Sequence, residues 1–264
     1  MRPDYPLWLN LLLIPTSVMA WLLAAVWMVL TVLLSVLLLP LFPFKKSHMF
    51  IPRPLMAMCI RTTLSRVRIR YHPDFDRAEP GLFMGNHATG LDAHLMTWLI
   101  PGPMCGMVGA HHLDYPIYGS IIKLARSIPI YPRSEGQLEA LTRDARERIT
   151  EGINIAAYPE GARTRDGHVG PFKRGMFFMA RDANIPVYPV AVRGLYSVLP
   201  RGQWIVFPGK IDVYVGRAIS FADVSDDDMA EAVEDFRQLV VDFVEHGRVP
   251  EGAEGLFPDR DAQA

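Results

Sequence analysis

An uncharged apolar run near the start of the chain constrains its fold more than any other feature. From Leu7 to Phe44 the sequence contains no Asp, Glu, Lys or Arg. A bilayer core needs roughly 20 apolar residues in a helix, so this run exceeds one perpendicular span and is short for two. Pro15 and Pro40 predict a main membrane helix between them, preceded by a short interfacial or re-entrant piece. A helical hairpin and a cleaved signal sequence are the alternatives.

Positive charge follows the apolar run. Lys45 and Lys46 end the run. Five more basic residues follow before residue 73, and this segment contains no acidic residue: Arg53, Arg61, Arg66, Arg68 and Arg70. Because basic flanks stay on the cytoplasmic side, we expect an inner-membrane protein whose large remainder lies on the cytoplasmic face. We also expect this basic stretch to contact anionic inner-leaflet headgroups.

The composition narrows the possible partners. With 27 basic and 28 acidic residues the formal net charge is −1, which gives no support to a nucleic-acid partner. Cys59 and Cys105 stand in apolar surroundings and lack the spacing of a metal site. Two such cysteines do not indicate a disulfide framework, and they fit a reducing compartment.

Beyond residue 51 the sequence alternates between strand and helix patterns. Short apolar runs bounded by turns predict the strands Gly81–Gly85, Met104–Val108, Ile128–Tyr131, Ile153–Tyr158, Pro186–Val192 and Ile211–Val215. Amphipathic periodicity predicts helices over Ser134–Glu151, with a capping box at Ser134, and over Ser225–His246. The alternation predicts an α/β fold with a mostly parallel sheet flanked by helices. We expect a membrane anchor over 1–50, this domain over 51–246, and a mobile tail over 247–264.

The stretch FMGNHATGLDAH places His87 and Asp92 just after a predicted strand. Residues five apart on a regular helix point about 140° apart, so the pair meets only if His87 precedes the helix and Asp92 reaches back. A carboxylate on one imidazole nitrogen leaves the other able to act as a general base. Two alternatives stay open. His87 could cap a helix beside a surface Asp92, or a metal could bind His87, Asp92, His94, His111 and His112.

A second stretch, AYPEGARTRDGHVGPFKRG, also follows a predicted strand and suits an anion. Arg163, Lys173 and neighbouring arginines supply cations, and glycines such as Gly161 allow close backbone approach to a ligand. Glu160 could brace Arg163 or bind a substrate hydroxyl. In SIPIYPR, Arg133 follows a short strand and could add a phosphate contact. A solvated, charged hairpin is the alternative.

Together these blocks resemble the glycerolipid acyltransferase family, of the bacterial lysophosphatidate acyltransferase type. NHATGLD resembles its N-H-x4-D block, IPIYPR its arginine-ended block, YPEGARTRDGHVGPFKRG its F-P-E-G-T-R-S block, and IPVYPVAV its fourth, apolar block. The likeness runs from about Gly81 to Ser220. Departures occur at Ala88–Thr89, at Ala162 and Thr164, and at His111 or His112, where a lysine is expected.

The resemblance implies a role for each matching residue. His87 would deprotonate the acceptor hydroxyl, and Asp92 would orient His87. Glu160, Gly161 and Arg163 would bind a phosphate-bearing acceptor with help from Arg133. Pro189 would shape the acyl or acceptor pocket.

The resemblance also implies the reaction. An acyl thioester, either acyl-CoA or acyl-carrier protein, would donate a fatty acyl group to lysophosphatidate in the membrane, giving phosphatidate, with no metal or bound cofactor. Three alternatives remain: another lyso-lipid acceptor, including a lyso-amino-acid lipid; a thioesterase or lipid hydrolase; and a catalytically silent lipid-binding protein. The chain lacks the G-x-S-x-G elbow of common lipases.

Overall fold

The computed structural model describes residues 6–38, 41–42, 44–131 and 136–249, with only the backbone at 44–46. Arg133, the predicted cap at Ser134 and nearly all of the predicted tail lie outside the described residues. Within these ranges the helices are α1 (Leu7–Leu38), α2 (Phe44–Phe50), α3 (Pro52–Arg61), α4 (Asp92–Leu99), α5 (Tyr118–Leu124), α6 (Gln137–Thr150), α7 (Gly175–Ala183), α8 (Leu195–Val198) and α9 (Met229–His246). A 3₁₀ turn occupies Ala110–Asp114.

Seven strands form one sheet in the described part of the chain. They are β1 (Arg66–Tyr71), β2 (Leu82–Gly85), β3 (Met104–Gly109), β4 (Ile128–Ile130), β5 (Asn154–Ala157), β6 (Val187–Arg193) and β7 (Lys210–Val215). Their order across the sheet is β1-β7-β6-β2-β5-β3-β4. All neighbouring pairs are parallel except β6 and β7. The predicted α/β fold with a mostly parallel sheet is therefore confirmed.

All six predicted strands are present, and no end differs by more than one residue. The sequence analysis missed β1. Its letters RVRIRY alternate between charged and apolar residues, which is the pattern of a half-buried strand. Both long amphipathic helices are also present, although α6 begins at Gln137 and α9 at Met229, a few residues later than predicted.

Helices cover both faces of the sheet. In β2, Leu82 and Met84 point into one apolar core, which contains Phe177 of α7 and Phe236 of α9. Phe83, between them, points into the opposite core, with side chains of α3 and α4. This alternation leaves β2 buried on both sides, so chemistry is confined to the loops at the strand ends.

The predicted break at Pro15 is wrong, because α1 continues through this residue as a single helix of 32 residues. A proline inside a helix removes one backbone hydrogen bond. The hydroxyls of Thr16 and Ser17 both donate to the Leu13 carbonyl in the same turn, at 3.0 and 2.6 Å. With a mean hydropathy of 2.5, α1 is long and apolar enough to cross a membrane by length and composition.

One side of α1 packs against the rest of the chain, on α3 and α5. The Ser17 hydroxyl accepts a hydrogen bond from the Val206 amide at 2.9 Å, and the Trp21 indole donates to the Trp204 carbonyl at 2.7 Å. The buried residues of α1 are small or polar: Asn10, Ser17, Ala20, Thr31 and Ser35. At 100° per residue they fall within an arc of about 80°. The rest of the helix surface is mostly exposed and apolar.

The basic stretch after the anchor contacts protein more than we predicted. Arg68 forms a two-pronged ion pair with Asp212 across β1 and β7, with nitrogen–oxygen distances of 2.5 and 2.8 Å. Arg53 donates to the Trp98 carbonyl at 3.0 Å, and Arg61 stacks on the Trp98 ring. Arg68 and Arg53 therefore also hold the fold together, while the contact of the basic stretch with lipid headgroups stays a prediction.

Candidate active site

Two neighbouring parallel strands bring the two candidate stretches together. Strands β2 and β5 pair from Leu82–Ile155 to Met84–Ala157. Because parallel strands end at the same edge of a sheet, the loops that follow β2 and β5 lie side by side. The His87 amide donates to Glu160 at 2.7 Å, and the Thr164 amide donates to the His87 carbonyl at 2.8 Å.

His87 and Asp92 form a close pair, as predicted. His87 lies in the loop after β2, and Asp92 is the first residue of α4, so its side chain reaches back towards the loop. His87 Nδ1 and Asp92 Oδ2 are 2.6 Å apart. The same oxygen accepts the Thr89 amide at 2.9 Å. Because a carboxylate only accepts, Nδ1 carries the proton, and Nε2 is left as the basic nitrogen.

Burial shifts the pKa values of Asp92 and of His94, its neighbour on α4. The Asp92 side chain is only 3% exposed, and burial raises the pKa of its carboxyl, opposed by the hydrogen bonds from His87 and the loop amides. Burial lowers the pKa of His94, two residues on, to about 4. His94 is therefore neutral at pH 7 and does not compete with Arg163 as a cation.

Glu160 binds the backbone of the loop that carries His87, and it does not brace Arg163. One carboxylate oxygen accepts the His87 amide, and the other accepts the Gly170 amide at 3.1 Å. Burial raises the pKa of this carboxyl. Among the described residues Glu160 makes no hydrogen bond or ion pair with Arg163, so of its two suggested roles the brace for Arg163 is absent. The two oxygens of Glu160 instead bind the backbone amides of His87 and Gly170.

Asn86 is a site residue to which the sequence analysis gave no role. Its side chain is buried and bonds both polar groups of Val192, donating to the carbonyl at 3.0 Å and accepting the amide at 2.8 Å. These bonds continue the pairing of β2 with β6 beyond the last strand residue. Asn86 thus fixes the backbone immediately before His87, and its place in the NHATGLD block was the available signal.

A cavity of about 450 Å³ opens beside the base. Its polar end is lined by His87, Gly161 and Arg163, and its apolar walls come from α4, β3 and α5. Thr31 and Ser35 of α1 form part of the wall, so the anchor helix contributes to the cavity. The predicted connection between the base and Arg163 is therefore present.

Of the other predicted binding residues, Arg163 lines this cavity and Lys173 does not. Arg163 is exposed, with no ion pair recorded in the described ranges, and one of its terminal nitrogens lies beside Gly90 in the base loop. The Lys173 ammonium group lies over Gly161, whose φ of +73° and missing side chain make room for it. Lys173 is not part of the cavity wall.

Pro189 does not shape the pocket, contrary to prediction. It lies within β6, opposite Met84, and its ring packs against Gly216 at the start of the loop after β7. No atom of Pro189 lines the cavity. A proline is tolerated here because it lies just outside the paired residues of β6 and β7, which begin at Val190, and its carbonyl still accepts the Gly216 amide at 2.8 Å.

The five candidate metal ligands do not form a cluster. Within the described ranges, no group of three or more His, Cys, Asp or Glu side chains is arranged to hold a metal ion. His111 and His112 stack on each other instead, with ring centroids 4.0 Å apart. His112 lines the cavity, and burial together with nearby positive charge lowers its pKa.

A carboxylate-oriented histidine at the carboxyl edge of an α/β sheet, facing a cavity with an arginine at its mouth, is an arrangement for general-base chemistry on an anionic substrate. Residues 66–193 match the sequence model of the family described as Acyltransferase. Over this part of the chain, the match confirms the resemblance to an acyltransferase family that the sequence motifs predict.

Named relatives come from plants, bacteria and mammals. A 1-acyl-sn-glycerol-3-phosphate acyltransferase of Limnanthes douglasii is 28% identical over 162 residues, which cover 61% of this chain and 56% of that protein. A protein of the same name from Pseudomonas aeruginosa is 26% identical over 191 residues, covering 70% of this chain and 73% of the relative. The chain spans little more than half the length of the plant relatives that it matches.

A solved structure shares the fold. The crystal structure of the 1-acyl-sn-glycerophosphate acyltransferase PlsC from Thermotoga maritima superposes with a TM-score of 0.74. The match covers 92% of this chain and 98% of that chain at 19% sequence identity. It includes the helical start of this chain as well as the sheet, so the fold likeness extends beyond the acyltransferase domain.

Proposed function

We propose that this protein is a membrane-bound O-acyltransferase that moves a fatty acyl group from an acyl thioester to the hydroxyl of lysophosphatidate, giving phosphatidate. The donor is acyl-CoA or acyl-carrier protein, and no bound cofactor or metal takes part. The observation that carries the proposal is the 2.6 Å contact between His87 and Asp92, at the mouth of a cavity that also contains Arg163.

The chemistry follows from the orientation of the imidazole. His87 Nε2 takes the proton of the acceptor hydroxyl as its oxygen attacks the thioester carbonyl carbon. Asp92 stabilises the imidazolium that forms, because its carboxylate already accepts the Nδ1 proton. Collapse of the tetrahedral intermediate breaks the carbon–sulfur bond, and the leaving thiolate takes the proton from His87. The products are an ester and a free thiol.

The acceptor end of the cavity suits a phosphate. The planar guanidinium of Arg163 matches phosphate oxygens in a two-pronged manner, and the Lys173 cation lies next to Gly161.

His112 supports the second candidate, another lyso-lipid acceptor. Its lowered pKa leaves it neutral at pH 7, so the described cavity wall has one permanently charged side chain, Arg163. An acceptor with less charge than a phosphate monoester fits that wall.

Helix α1 supports placing the site at a membrane. Its exposed surface is apolar, and its buried arc is bonded to the domain. We infer that the exposed surface contacts lipid and that Lys45 and Lys46 place the domain on the cytoplasmic face of the inner membrane. An amphiphilic acceptor in that leaflet reaches His87 without leaving the lipid surface.

The test uses the purified full chain in lipid vesicles, with a panel of lyso-lipids and with palmitoyl-CoA or palmitoyl-carrier protein. Mass spectrometry should find phosphatidate from lysophosphatidate, with one thiol released per ester formed. His87→Ala should abolish the product, and His168→Ala, at an exposed histidine paired with Glu245, should leave it unchanged. Thiol release without any ester identifies a thioesterase and contradicts the proposal. Esters from other lyso-lipids alone identify the second candidate.

A further inference from the structure

Tyr158 has a buried hydroxyl that none of the contacts described so far uses. It follows the last residue of β5, and its ring lies face to face with the His87 imidazole, with centroids 4.1 Å apart and an angle of 11° between the planes. The hydroxyl oxygen is buried, and it has no hydrogen-bond partner among the residues that the structure describes. Tyr158 also lines the cavity beside the base.

Backbone hydrogen bonds fix the segment that carries the Tyr158 ring. The Gly161 amide donates to the Tyr158 carbonyl at 3.0 Å, and the Lys173 amide donates to the Pro159 carbonyl at 2.9 Å. Glu160, two residues after Tyr158, accepts a hydrogen bond from the His87 amide. These bonds join the loops after β2 and β5 and so fix the phenol against the imidazole.

Burying a hydroxyl group costs free energy unless the group forms a hydrogen bond with a partner. A phenylalanine at this position would present the same ring to His87 without that cost. Because Tyr158 lines the cavity, a substrate bound there is the nearest source of that missing partner. Because the phenol stacks directly on the base, the nearest polar atoms of a bound substrate are those of the reacting centre.

We propose that Tyr158 is a catalytic residue whose hydroxyl donates a hydrogen bond to the thioester carbonyl oxygen as that oxygen gains negative charge. This inference rests on the proposed acyl transfer. The acceptor oxygen forms a bond to the carbonyl carbon while its proton passes to His87, and the carbonyl π pair moves onto the oxygen that Tyr158 binds. The pair returns as the carbon–sulfur bond breaks, and the thiolate leaves with the proton from His87.

The protonation state of the phenol agrees with this role. Burial raises the pKa of Tyr158 well above its usual range, reinforced by the nearby Asp92 and Tyr118. The hydroxyl therefore keeps its proton across the working pH range and acts as a donor throughout. A donor that is already desolvated and fixed needs no reorganisation when charge develops on the substrate.

The decisive variant is Tyr158→Phe, which keeps the ring and removes the hydroxyl. We expect kcat to fall about 100-fold, the loss typical of one oxyanion donor, with KM for both substrates unchanged. The melting temperature should not fall, because the lost hydroxyl has no protein partner among the described residues. This combination of lower kcat and undiminished stability separates a catalytic role from a structural one.

Tyr188→Phe is the matched control. Tyr188 is buried in β6, and its hydroxyl donates to Glu79 at 3.1 Å, away from the cavity. Its loss should lower the melting temperature and leave kcat unchanged. Wild-type kcat in Tyr158→Phe overturns the inference while the acyl transfer stands, as does a raised KM with kcat unchanged. A wild-type protein that forms no ester from any acceptor overturns both.

Discussion

Replacing Asp92 with asparagine tests how the carboxylate helps His87. Asp92 Oδ2 accepts two hydrogen bonds, from His87 Nδ1 and from the Thr89 amide. In Asp92→Asn the amide oxygen should take this position, because only an oxygen can satisfy both donors. The hydrogen bond and the tautomer of His87 would then survive, and the variant would lose the negative charge alone.

The expected loss follows from Coulomb's law. With the ring nitrogen and carboxylate oxygen 2.6 Å apart, the imidazolium and carboxylate charge centres are separated by about 4 Å, which is worth about 4 kcal/mol at an effective dielectric constant of 20. At roughly 1.4 kcal/mol per factor of ten, kcat should fall on the order of 10²- to 10³-fold. This is less than the roughly 10⁴-fold loss seen when an asparagine reverses the histidine tautomer in a serine protease.

The measurement is thiol release under saturating substrates, with thermal unfolding to confirm that the variant is folded. Asp212→Asn is the matched change. It removes the charge that pairs with Arg68 at the sheet edge and should leave kcat at the wild-type value. A folded Asp92→Asn protein with less than a tenfold loss would show that the charge is unimportant. A loss of 10⁴-fold or more would show that the amide is reversed and would refute the argument from Thr89.

Three further predictions concern charge, pH and the anchor. Arg163→Ala should raise KM for a phosphate-bearing acceptor about tenfold or more, as expected for a lost charge-assisted contact, and change KM for the thioester less; equal changes in both would exclude a phosphate role. His94 binds a proton near pH 6.5 when unfolded and near pH 4 when folded, so the free energy of unfolding should drop by roughly 3 kcal/mol as the pH falls through this window. His94→Gln should lack this component in urea titrations, and parallel curves for the two proteins would contradict the assignment. Ser17→Ala removes the acceptor of the buried Val206 amide and should cost about 1–3 kcal/mol in thermal unfolding, whereas the exposed Thr16→Ala should be nearly neutral. Equal stability of the two anchor variants would argue that the contact with Val206 contributes nothing.

The parts of the fold that the sequence predicts well are those with local causes. Strands such as β5 and β6 are short apolar runs that end at turns, so their pattern follows from burial on both faces. The pairing of His87 with Asp92 was predictable because the spacing excludes a meeting on one regular helix. The strand β1 was missed because its arginines were attributed to lipid contact, although the alternation RVRIRY was visible.

The parts that the sequence could not predict depend on long-range packing. Pro189 was placed at the pocket by resemblance, but it pairs with Met84 of β2 and packs against Gly216 after β7, contacts that only the assembled sheet defines. Glu160 accepts the His87 amide only because β2 and β5 are neighbours in the sheet. The stacking of Tyr158 on the base has the same origin, since nothing along the chain between the two residues relates their rings.

Three hydroxyl-bearing residues of α1, Ser17, Thr31 and Ser35, lie on the side of the helix that packs against the rest of the protein. Thr31 and Ser35 on this side also line the cavity beside His87, so α1 forms part of the cavity wall. If α1 crosses a membrane as we propose, removing it would therefore also take away that part of the wall and open the cavity to water.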